Sequence, residues 1–519
     1  MIYRSPYPDV DVPPVSLPEL VLGRARERGS HPALIDGRSG RVTTYAELAD
    51  AVERTAAGLH RAGFRRGEVA LICSPSCVEF PIAFLAVARL GGTVTTMNPA
   101  FTPGEMAKQL DDAGAVVAFT TPDLVERVAE AGRGRLRQVI RFGDDSFESL
   151  TRTDGEPPQV VIDPAEDVVA LPYSSGTTGA PKGVMLTHRN LVAMLLQMHP
   201  VEGTTEQDVT AAVLPFFHIY GLVVVMSLAL YRGATLVVFP RFQMEELLAA
   251  VERWRITRLP LVPPILLRLA RDPVVDRFDL GTVRVVVSGA APLPAEVAHE
   301  VAERLGCLVK QGYGMTELSP GSHMQPEDGG APPPGTVGPL HPSTEARLVD
   351  PVTLEDVGPG ERGEIWVRGP QVMKGYLNRP EATAGVITPD GWLRTGDIGT
   401  VDGDGYFSVV DRLKELIKYK GFQVAPAELE ALLLTHPAVA DAAVIPRPDG
   451  EAGEVPKAFV VTRPGADASA AELMAFVAER VVYYKRVRDV EFVADIPKSP
   501  SGKILRRALV ERERERASS

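Results

Sequence analysis

The sequence predicts an α/β protein that divides into two or more domains. Short apolar runs, each the length of a buried strand, alternate with amphipathic helical patterns through most of the chain, as in a parallel sheet flanked by helices. The chain has 519 residues, which is more than one hydrophobic core normally serves. In the last third the apolar runs become shorter and are separated by glycines, which indicates a smaller β-rich subdomain followed by a C-terminal α/β unit.

The first half of the chain supplies the strand–helix alternation. Thr44 and Glu47 have the spacing of a capping box, so we expect a helix to begin there. The most apolar stretch, Leu222 to Phe239, is divided by Arg232 and Gly233 into two short core segments, so no membrane span is expected. The remaining expected elements are strands 68–73, 94–97, 116–120, 168–171, 211–214, 235–239, 259–262 and 283–288, and helices 78–90, 104–113, 188–198 and 244–254.

In the second half, the composition changes at a predicted loop rich in proline and glycine, Gln325 to Gly338. Glu364 to Arg368 and Phe407 to Val410 then have the pattern of short strands in a β subdomain. Asp411 to Glu415 joins this subdomain to the C-terminal unit. In that unit we expect helices 426–435 and 470–480.

Composition narrows the class of protein. The net charge of −12 and the pI near 5.4 argue against a nucleic-acid partner. Cys73, Cys77 and Cys307 provide neither a disulfide framework nor a metal-ligand spacing, so we expect free thiols in a reducing cytoplasm. Met1 to Pro18 has no apolar core of a signal peptide. The expectation is a cytoplasmic protein without a membrane span.

The run Ser174 to Gly183 has the chemistry of a phosphate-binding loop. Its glycines allow backbone N–H groups to approach anionic oxygens, its hydroxyls add donors, and Lys182 adds a positive charge. It is not a Walker A loop, because that spacing is absent and Pro181 precedes the lysine. The run therefore favours a polyphosphate site over the alternative, a flexible linker.

Five segments along the chain carry a family resemblance, namely Ser174–Gly183, Gln311–Glu317, Arg394–Asp397, Asp411–Gln423 and Pro497–Lys503. Together they resemble the adenylate-forming superfamily, which includes acyl-CoA synthetases, peptide-synthetase adenylation domains and luciferases. Their order and spacing match over nearly the whole chain, and residues 369–376 and 409–434 look most like 4-coumarate–CoA ligases. The resemblance implies a large N-terminal adenylation domain (1–413) of β-sheets with flanking helices plus a β subdomain, and a small mobile C-terminal α+β domain (414–519).

The resemblance implies a two-step reaction that uses ATP, Mg²⁺ and coenzyme A. A carboxylate attacks the α-phosphorus of ATP, which gives an acyl-adenylate and pyrophosphate. A thiol, usually that of CoA, then displaces AMP. Phosphoryl transfer requires positioned cations and hydrogen-bond donors, and the matching segments contain both.

The resemblance also implies individual roles. Lys503 would be the catalytic lysine of adenylation, and Glu317 the metal-binding carboxylate, assisted by Thr178. Asp397 would accept hydrogen bonds from the ribose hydroxyls, and Arg412 would reach the ribose and phosphate. The residues expected to bind ATP or AMP are Ser174, Ser175, Gly176, Thr177, Thr178, Gly179, Lys182, Gln311, Gly312, Tyr313, Gly314, Thr316, Asp397, Arg412, Lys414, Lys418 and Gln423.

A second group of residues is implied for the thiol step. Lys420, Gly421 and Arg241 would contact CoA. Lys414 lies where the superfamily places its interdomain hinge. Without the resemblance, the lysines between 414 and 420 would be interpreted as a solvated charged face.

The acyl substrate would lie beside His218, which resembles the gate between the acid and thiol channels, and Tyr220, which resembles the residue that meets a ring hydroxyl in coumarate ligases. Leu318 and Ser319 replace the usual Ala-Gly of plant relatives, and Gly321 replaces a common valine, which predicts a roomier wall. The sequence therefore leaves four classes of carboxylic acid substrate: a substituted cinnamate, a benzoate, a fatty acid and a bulkier polycyclic acid. The expected lining residues are His218, Tyr220, Gly289, Ala290, Gly314, Pro320 and Gly321.

The expected function is ATP-dependent acid–CoA ligation of a hydrophobic or aromatic acid, similar to that of 4-coumarate–CoA ligases. One alternative is transfer to the phosphopantetheine thiol of a carrier protein, which the absence of a fused carrier domain weakly disfavours. Another is a catalytically silent homologue that binds an acyl or nucleotide ligand. The presence of Lys182, Glu317, Asp397 and Lys503 disfavours the silent homologue.

Overall fold

A computed structural model describes residues 1–174, 181–328, 332–420, 422–450, 452–499 and 502–518. Within these residues the chain forms two eight-stranded sheets and two five-stranded sheets. Helices pack on the larger sheets, which confirms the predicted α/β class.

The first eight-stranded sheet contains the strand that follows the predicted phosphate loop. Its central strands are parallel, whereas Lys182–Thr187 runs antiparallel to both of its neighbours along the sheet. Tyr173–Ser174 pairs with Lys182–Thr187, so the two ends of the loop lie side by side. In spatial order the strands are Gly375–Tyr376, Lys182–Thr187, Val168–Ala170, Thr93–Met97, Val69–Cys73, Ala115–Thr120 and Gln138–Arg141.

The second eight-stranded sheet is parallel through its centre and ends at one edge in an antiparallel pair, Leu308–Gly314 with Gly321–Met324. The tight connection between these two strands contains Glu317. In spatial order the strands are Gly321–Met324, Leu308–Gly314, Val285–Ser288, Arg258–Leu261, Val209–Ala212, Thr235–Val238, Pro32–Asp36 and Val42–Thr44.

The helices follow the local signals of the sequence. The capping box is confirmed, because the Thr44 hydroxyl accepts from the backbone N–H of Glu47 and the Glu47 carboxylate accepts from that of Thr44. The α-helices of the N-terminal part are Leu17–Leu22, Ala25–Arg28, Tyr45–Arg61, Glu79–Arg89, Pro103–Ala113, Val125–Ala131, Asp145–Thr151, His188–Glu202, Leu228–Arg232, Met244–Trp254, Pro263–Arg271, Ala295–Leu305 and Pro380–Ala384. Shorter 3₁₀ turns cover Pro122–Leu124, Pro273–Arg277 and Thr316–Leu318.

The apolar stretch predicted to divide at Arg232 and Gly233 does so. It forms a π-helix, Tyr220–Ser227, then the helix Leu228–Arg232, and Gly233 ends that helix with a φ of 86°. The strand Thr235–Val238 follows. Among the described residues, none of the helices has both the length and the apolar character required to cross a bilayer.

The β subdomain and the C-terminal unit complete the structure. The subdomain sheet is antiparallel, in the order Tyr3–Arg4, Glu345–Val349, Gly363–Arg368, Leu393–Val401 and Phe407–Arg412. The C-terminal sheet joins Phe422–Val424, Ile417–Tyr419, Gly453–Thr462 and Val439–Asp449 in that order, with Asp489–Phe492 alongside Gly453–Thr462. Helices Pro426–Leu434, Ala470–Ala478 and Arg506–Ser518 and the 3₁₀ turn Tyr483–Lys485 accompany it.

The hydrophobic core is divided along the chain. The largest cluster of buried apolar side chains runs from Leu17 to Phe407 and lies between the sheets and helices of the N-terminal part. A separate cluster runs from Ile417 to Val490. The three cysteines, of which Cys73 is buried, are free, as expected from the sequence.

Candidate active site

The candidate site lies where the second sheet meets the β subdomain. Ligands of α/β proteins gather beyond the carboxyl ends of parallel strands, and Gly312 to Gly314 end such a strand here. A Cβ atom at Gly314 would lie 1.8 Å from the carbonyl oxygen of Pro320, so no larger residue fits without moving the backbone. At Gly312 a Cβ atom would lie 3.2 Å from Cε of Met324. These glycines let the two edge strands approach each other closely.

Asp397 is a buried carboxylate that the subdomain presents to this strand end. The Tyr313 hydroxyl donates to Oδ2 of Asp397 at 2.6 Å, and Nε of Arg412 lies 3.4 Å from Oδ1. Asp397 and Arg412 face each other on neighbouring strands. Burial raises the pKa of Asp397, and the positive charge of Arg412 partly opposes this rise. One hydrogen bond and one ion pair therefore link the three side chains beside the end of the strand Leu308–Gly314.

Glu317 is held from two sides in the buried 3₁₀ turn that Thr316 opens. The hydroxyls of Ser174 and Tyr376 both donate to its Oε1, each at 2.9 Å. Nζ of Lys182 lies 4.8 Å from the centre of the Tyr376 ring. The structure therefore brings Ser174, Lys182 and Glu317 together around a tyrosine to which the sequence analysis assigned no role. Tyr376 ends the segment 369–376, which was noted only for its resemblance.

Lys503 extends from the C-terminal unit toward Asp397 and Arg412. Gly502 precedes it with a φ of 77°, and a Cβ atom there would lie 3.1 Å from Val262 Cγ2 and 3.2 Å from Pro264 Cδ. Only glycine suits both this backbone and this close approach. Burial lowers the pKa of the Lys503 ammonium to about 8; the charge of Arg412 lowers it as well, and Glu415 and Asp397 raise it. A half-buried cation thus faces the Asp397–Arg412 pair.

His218 is held as a neutral imidazole. Its Nδ1 accepts the backbone N–H of Tyr220 at 3.2 Å, so the ring proton is on Nε2. Burial lowers its pKa to about 4. The Tyr220 hydroxyl donates to the carbonyl of Val287 at 3.3 Å, and its ring lies 3.1 Å from the position of a Cβ atom at Gly289. Tyr220 therefore contacts both His218 and Gly289.

The opposite wall differs from the expectation at Gly321. A Cβ atom there would lie 3.0 Å from Cε1 of His341 and 3.5 Å from the sulfur of Met194. The space left by the missing side chain is therefore partly filled by the imidazole of His341, so the absence of a side chain at Gly321 alone does not make this wall roomier. Pro320 is buried beside it, whereas Ala290 is exposed with a φ of 70°.

The other expected residues vary in exposure. Gln311 is buried, and its backbone N–H donates to the Gln325 side chain. The residues assigned to the hinge, the thiol step and the outer nucleotide contacts are exposed: Lys414, Lys418, Lys420, Gln423 and Arg241. The expected residues Ser175, Gly176, Thr177, Thr178, Gly179 and Gly421 lie outside the described part of the chain.

Comparison with known proteins gives consistent results. The profile of the family described as AMP-binding enzyme matches residues 23–377, and that of the AMP-binding enzyme C-terminal domain matches residues 428–503. The chain is 46% identical to 4-coumarate–CoA ligase 5 of Oryza sativa subsp. japonica, covering 98% of this chain and 96% of the relative. It is 43% identical to 4-coumarate–CoA ligase 1 of Narcissus pseudonarcissus over 98% and 96% of the two chains.

Solved structures agree with the sequence relatives. The anthranilate CoA ligase AuaEII in complex with anthranoyl-AMP has a TM-score of 0.90 at 27% identity, over 98% of this chain and 99% of that chain. A benzoate CoA ligase from Burkholderia xenovorans LB400 has a TM-score of 0.87 at 28% identity, over 95% and 99%. With the two family profiles, the near-complete relatives and the converging site residues, the chain belongs to the AMP-binding family of adenylate-forming acyl-CoA ligases.

Proposed function

We propose that this chain activates an aromatic carboxylic acid as acyl-AMP at the Asp397–Lys503 site and transfers the acyl group to CoA. ATP-dependent acid–CoA ligation is the activity of its family, and the residue roles and the class of acid are the proposal. The observation that carries it is the convergence of Lys503 from the C-terminal unit with Asp397 and Arg412 from the subdomain.

In the first half-reaction, a carboxylate oxygen forms a bond to the α-phosphorus of ATP as the bond to pyrophosphate breaks. We assign Asp397 to the ribose hydroxyls, because it is a buried acceptor that Tyr313 contacts beside the end of the strand Leu308–Gly314. Lys503 places positive charge beside the reacting carboxylate and phosphate, where it stabilises the transition state. Arg412 holds the Asp397 carboxylate in place. Gln311 to Gly314 flank the adenine, since glycine permits close approach of a flat ring.

Glu317 fits the carboxylate ligand of a magnesium ion. Both hydrogen bonds that its carboxylate accepts from described residues reach Oε1, so Oε2 is left for a hard cation. The described residues contain no cluster of three or more metal-ligating side chains, so phosphate oxygens would complete the coordination. Bound there, Mg²⁺ would neutralise phosphate charge. Thr178, the second ligand we propose, lies outside the described residues.

In the second half-reaction, the CoA thiolate attacks the acyl carbonyl and AMP leaves. Lys420, Gly421 and Arg241 are the residues we assign to CoA. Lys420 is exposed in the present arrangement, in which Lys503 is directed into the site. We therefore propose that the C-terminal domain, 414–519, rotates about Lys414 between the two half-reactions.

Two features support an aromatic acid. The Tyr220 ring packs at Gly289, and the neutral His218 lies two residues before it, so an aryl group would meet a largely apolar surface. The relatives named above are 4-coumarate–CoA ligases, and the named structural neighbours are anthranilate and benzoate ligases.

We further propose a cytoplasmic enzyme that acts on small molecules, in keeping with its free cysteines.

The test is release of pyrophosphate and AMP over a panel of cinnamates, benzoates and fatty acids, with and without CoA. We expect a substituted cinnamate or benzoate to give acyl-AMP without CoA and a thioester with CoA. Adenylate formation followed by transfer only to a phosphopantetheinylated carrier protein would favour the carrier-loading alternative. Failure to release pyrophosphate with any acid would contradict the proposed function.

A further inference from the structure

The helix Pro426–Leu434 of the C-terminal unit is capped by a side chain of the subdomain. Its N-cap residue, Ala425, has no side-chain oxygen to offer the N–H groups of the first turn. Oδ2 of Asp411 accepts the backbone N–H of Ala427 at 2.9 Å instead. Asp411 lies on an edge strand of the subdomain sheet. The cap therefore comes from the opposite side of the proposed hinge, Lys414.

The contact that Asp411 makes is shielded from water. Asp411 is 7% exposed, and its Oδ1 accepts the backbone N–H of Arg412 at 2.7 Å, so each of its two oxygens has a separate donor. Burial raises the pKa of Asp411, and the positive charge of Arg506 opposes this rise. Ile398 and Leu416, from the two sides of the hinge, belong to one cluster of buried apolar side chains. A carboxylate placed in this way makes a strong, directed contact.

Arg506 joins the capped helix to the segment that carries Lys503. Its two Nη atoms donate to Oε2 of Glu430, on the helix, at 2.6 Å and to Oε2 of Glu415, just after the hinge, at 2.7 Å. Glu430 is fixed in turn, because its Oε1 accepts the backbone N–H of Val444 at 2.7 Å. Arg506 follows Lys503 by three residues. A displacement of the helix therefore displaces Lys503 with it.

We propose that Asp411 is a positioning residue for adenylation, which holds the C-terminal unit in the arrangement that directs Lys503 into the site. This inference rests on the proposed function, since it takes rotation about Lys414 as the step between the half-reactions. Rotation separates Ala427 from Asp411, because the two residues lie on opposite sides of Lys414, so the cap breaks before the thiol step. A contact made in only one of two arrangements shifts the equilibrium toward that arrangement.

The test measures both half-reactions in single turnover, in the full-length wild type, Asp411→Asn and Ser469→Ala. The asparagine keeps the shape of the side chain but places an NH₂ group against one of the two backbone donors. The rate of thioester formation from supplied acyl-adenylate and CoA, divided by the rate of adenylation, should rise about 2–30-fold, the range that loss of a helix cap implies. Ser469 caps the helix Ala470–Ala478 from within the same unit, so Ser469→Ala should leave this ratio within about twofold of wild type.

A double variant separates positioning from support of the helix itself. Ala425→Ser offers the helix a local cap, which is available in both arrangements. Added to Asp411→Asn, it should restore stability in urea unfolding while the ratio of the two rates stays raised. Hydrogen exchange in the wild type gives a measurement that needs no variant. The Ala427 amide should exchange faster with CoA and a non-hydrolysable acyl-adenylate analogue than with a non-hydrolysable ATP analogue.

The outcomes separate this inference from the function it rests on. An unchanged ratio in folded Asp411→Asn, or equal loss of both half-reactions, would overturn the positioning role and leave the ligase function standing. Return of the wild-type ratio in the double variant, or equal exchange of the Ala427 amide with both sets of ligands, would also overturn it. A wild-type enzyme that forms no acyl-adenylate with any acid of the panel would overturn the proposed function, and this inference with it.

Discussion

Replacing Tyr376 by phenylalanine tests whether Glu317 is positioned for magnesium by its neighbours. The change removes one hydroxyl that donates to Oε1 of Glu317 at 2.9 Å and keeps the ring beneath Lys182. Tyr376 is 7% exposed, so water replaces the lost donor poorly. A buried hydrogen bond to a charged group contributes about 1.5–3 kcal/mol. We therefore expect kcat/KM for magnesium-ATP in pyrophosphate release to fall by about 10–150-fold.

The measurement is initial-rate pyrophosphate release over a magnesium titration, together with calorimetric binding of a magnesium complex of a non-hydrolysable ATP analogue. Tyr376→Phe should require more magnesium for half-saturation and should bind the analogue more weakly. Tyr173→Phe is the matched control, because its hydroxyl donates at 2.8 Å to a different carboxylate, Asp112. The control should retain the magnesium dependence of the wild type. Equal magnesium dependence in both variants would refute the positioning role of Tyr376.

Further predictions concern the proposed catalytic lysine, the proposed hinge and a buried ion cluster. Lys503→Ala should abolish pyrophosphate release but spare thioester formation from supplied acyl-adenylate; equal loss in both assays would contradict the role. Because the pKa of Lys503 is lowered to about 8, kcat/KM for adenylation should fall about tenfold per pH unit above 8, and Lys503→Arg should not show this fall. Lys414→Pro, which fixes φ, should retain one half-reaction and lose the other in single-turnover assays, and wild-type rates in both would place the hinge elsewhere. Arg258→Met should cost about 3–5 kcal/mol in urea unfolding, since it leaves the buried carboxylate of Glu202 and that of Glu327 without their shared guanidinium.

The sequence alone predicted what local patterns control. Helix Met244–Trp254 has the predicted bounds, because its amphipathic pattern is continuous and its flanks are not. The capping box at Thr44 requires only a side chain and a backbone N–H three residues apart, so it could also be predicted from the sequence. Strand bounds such as Val209–Ala212 shifted by two residues from the prediction, since pairing with neighbouring strands sets where a strand ends.

Tertiary structure decided which side chains meet. Tyr376 reaches Glu317 across 59 residues of chain, and His341, twenty positions after Gly321, packs into part of the space that a side chain at residue 321 would take. Periodicity and spacing report the local backbone and which face is buried. They do not report the distance between side chains on different sheets, because that distance depends on how subdomains pack. The kind of chemistry that each side chain offers could therefore be predicted from the sequence. The contacts that position these side chains and shift their pKa values could be seen only in the folded chain.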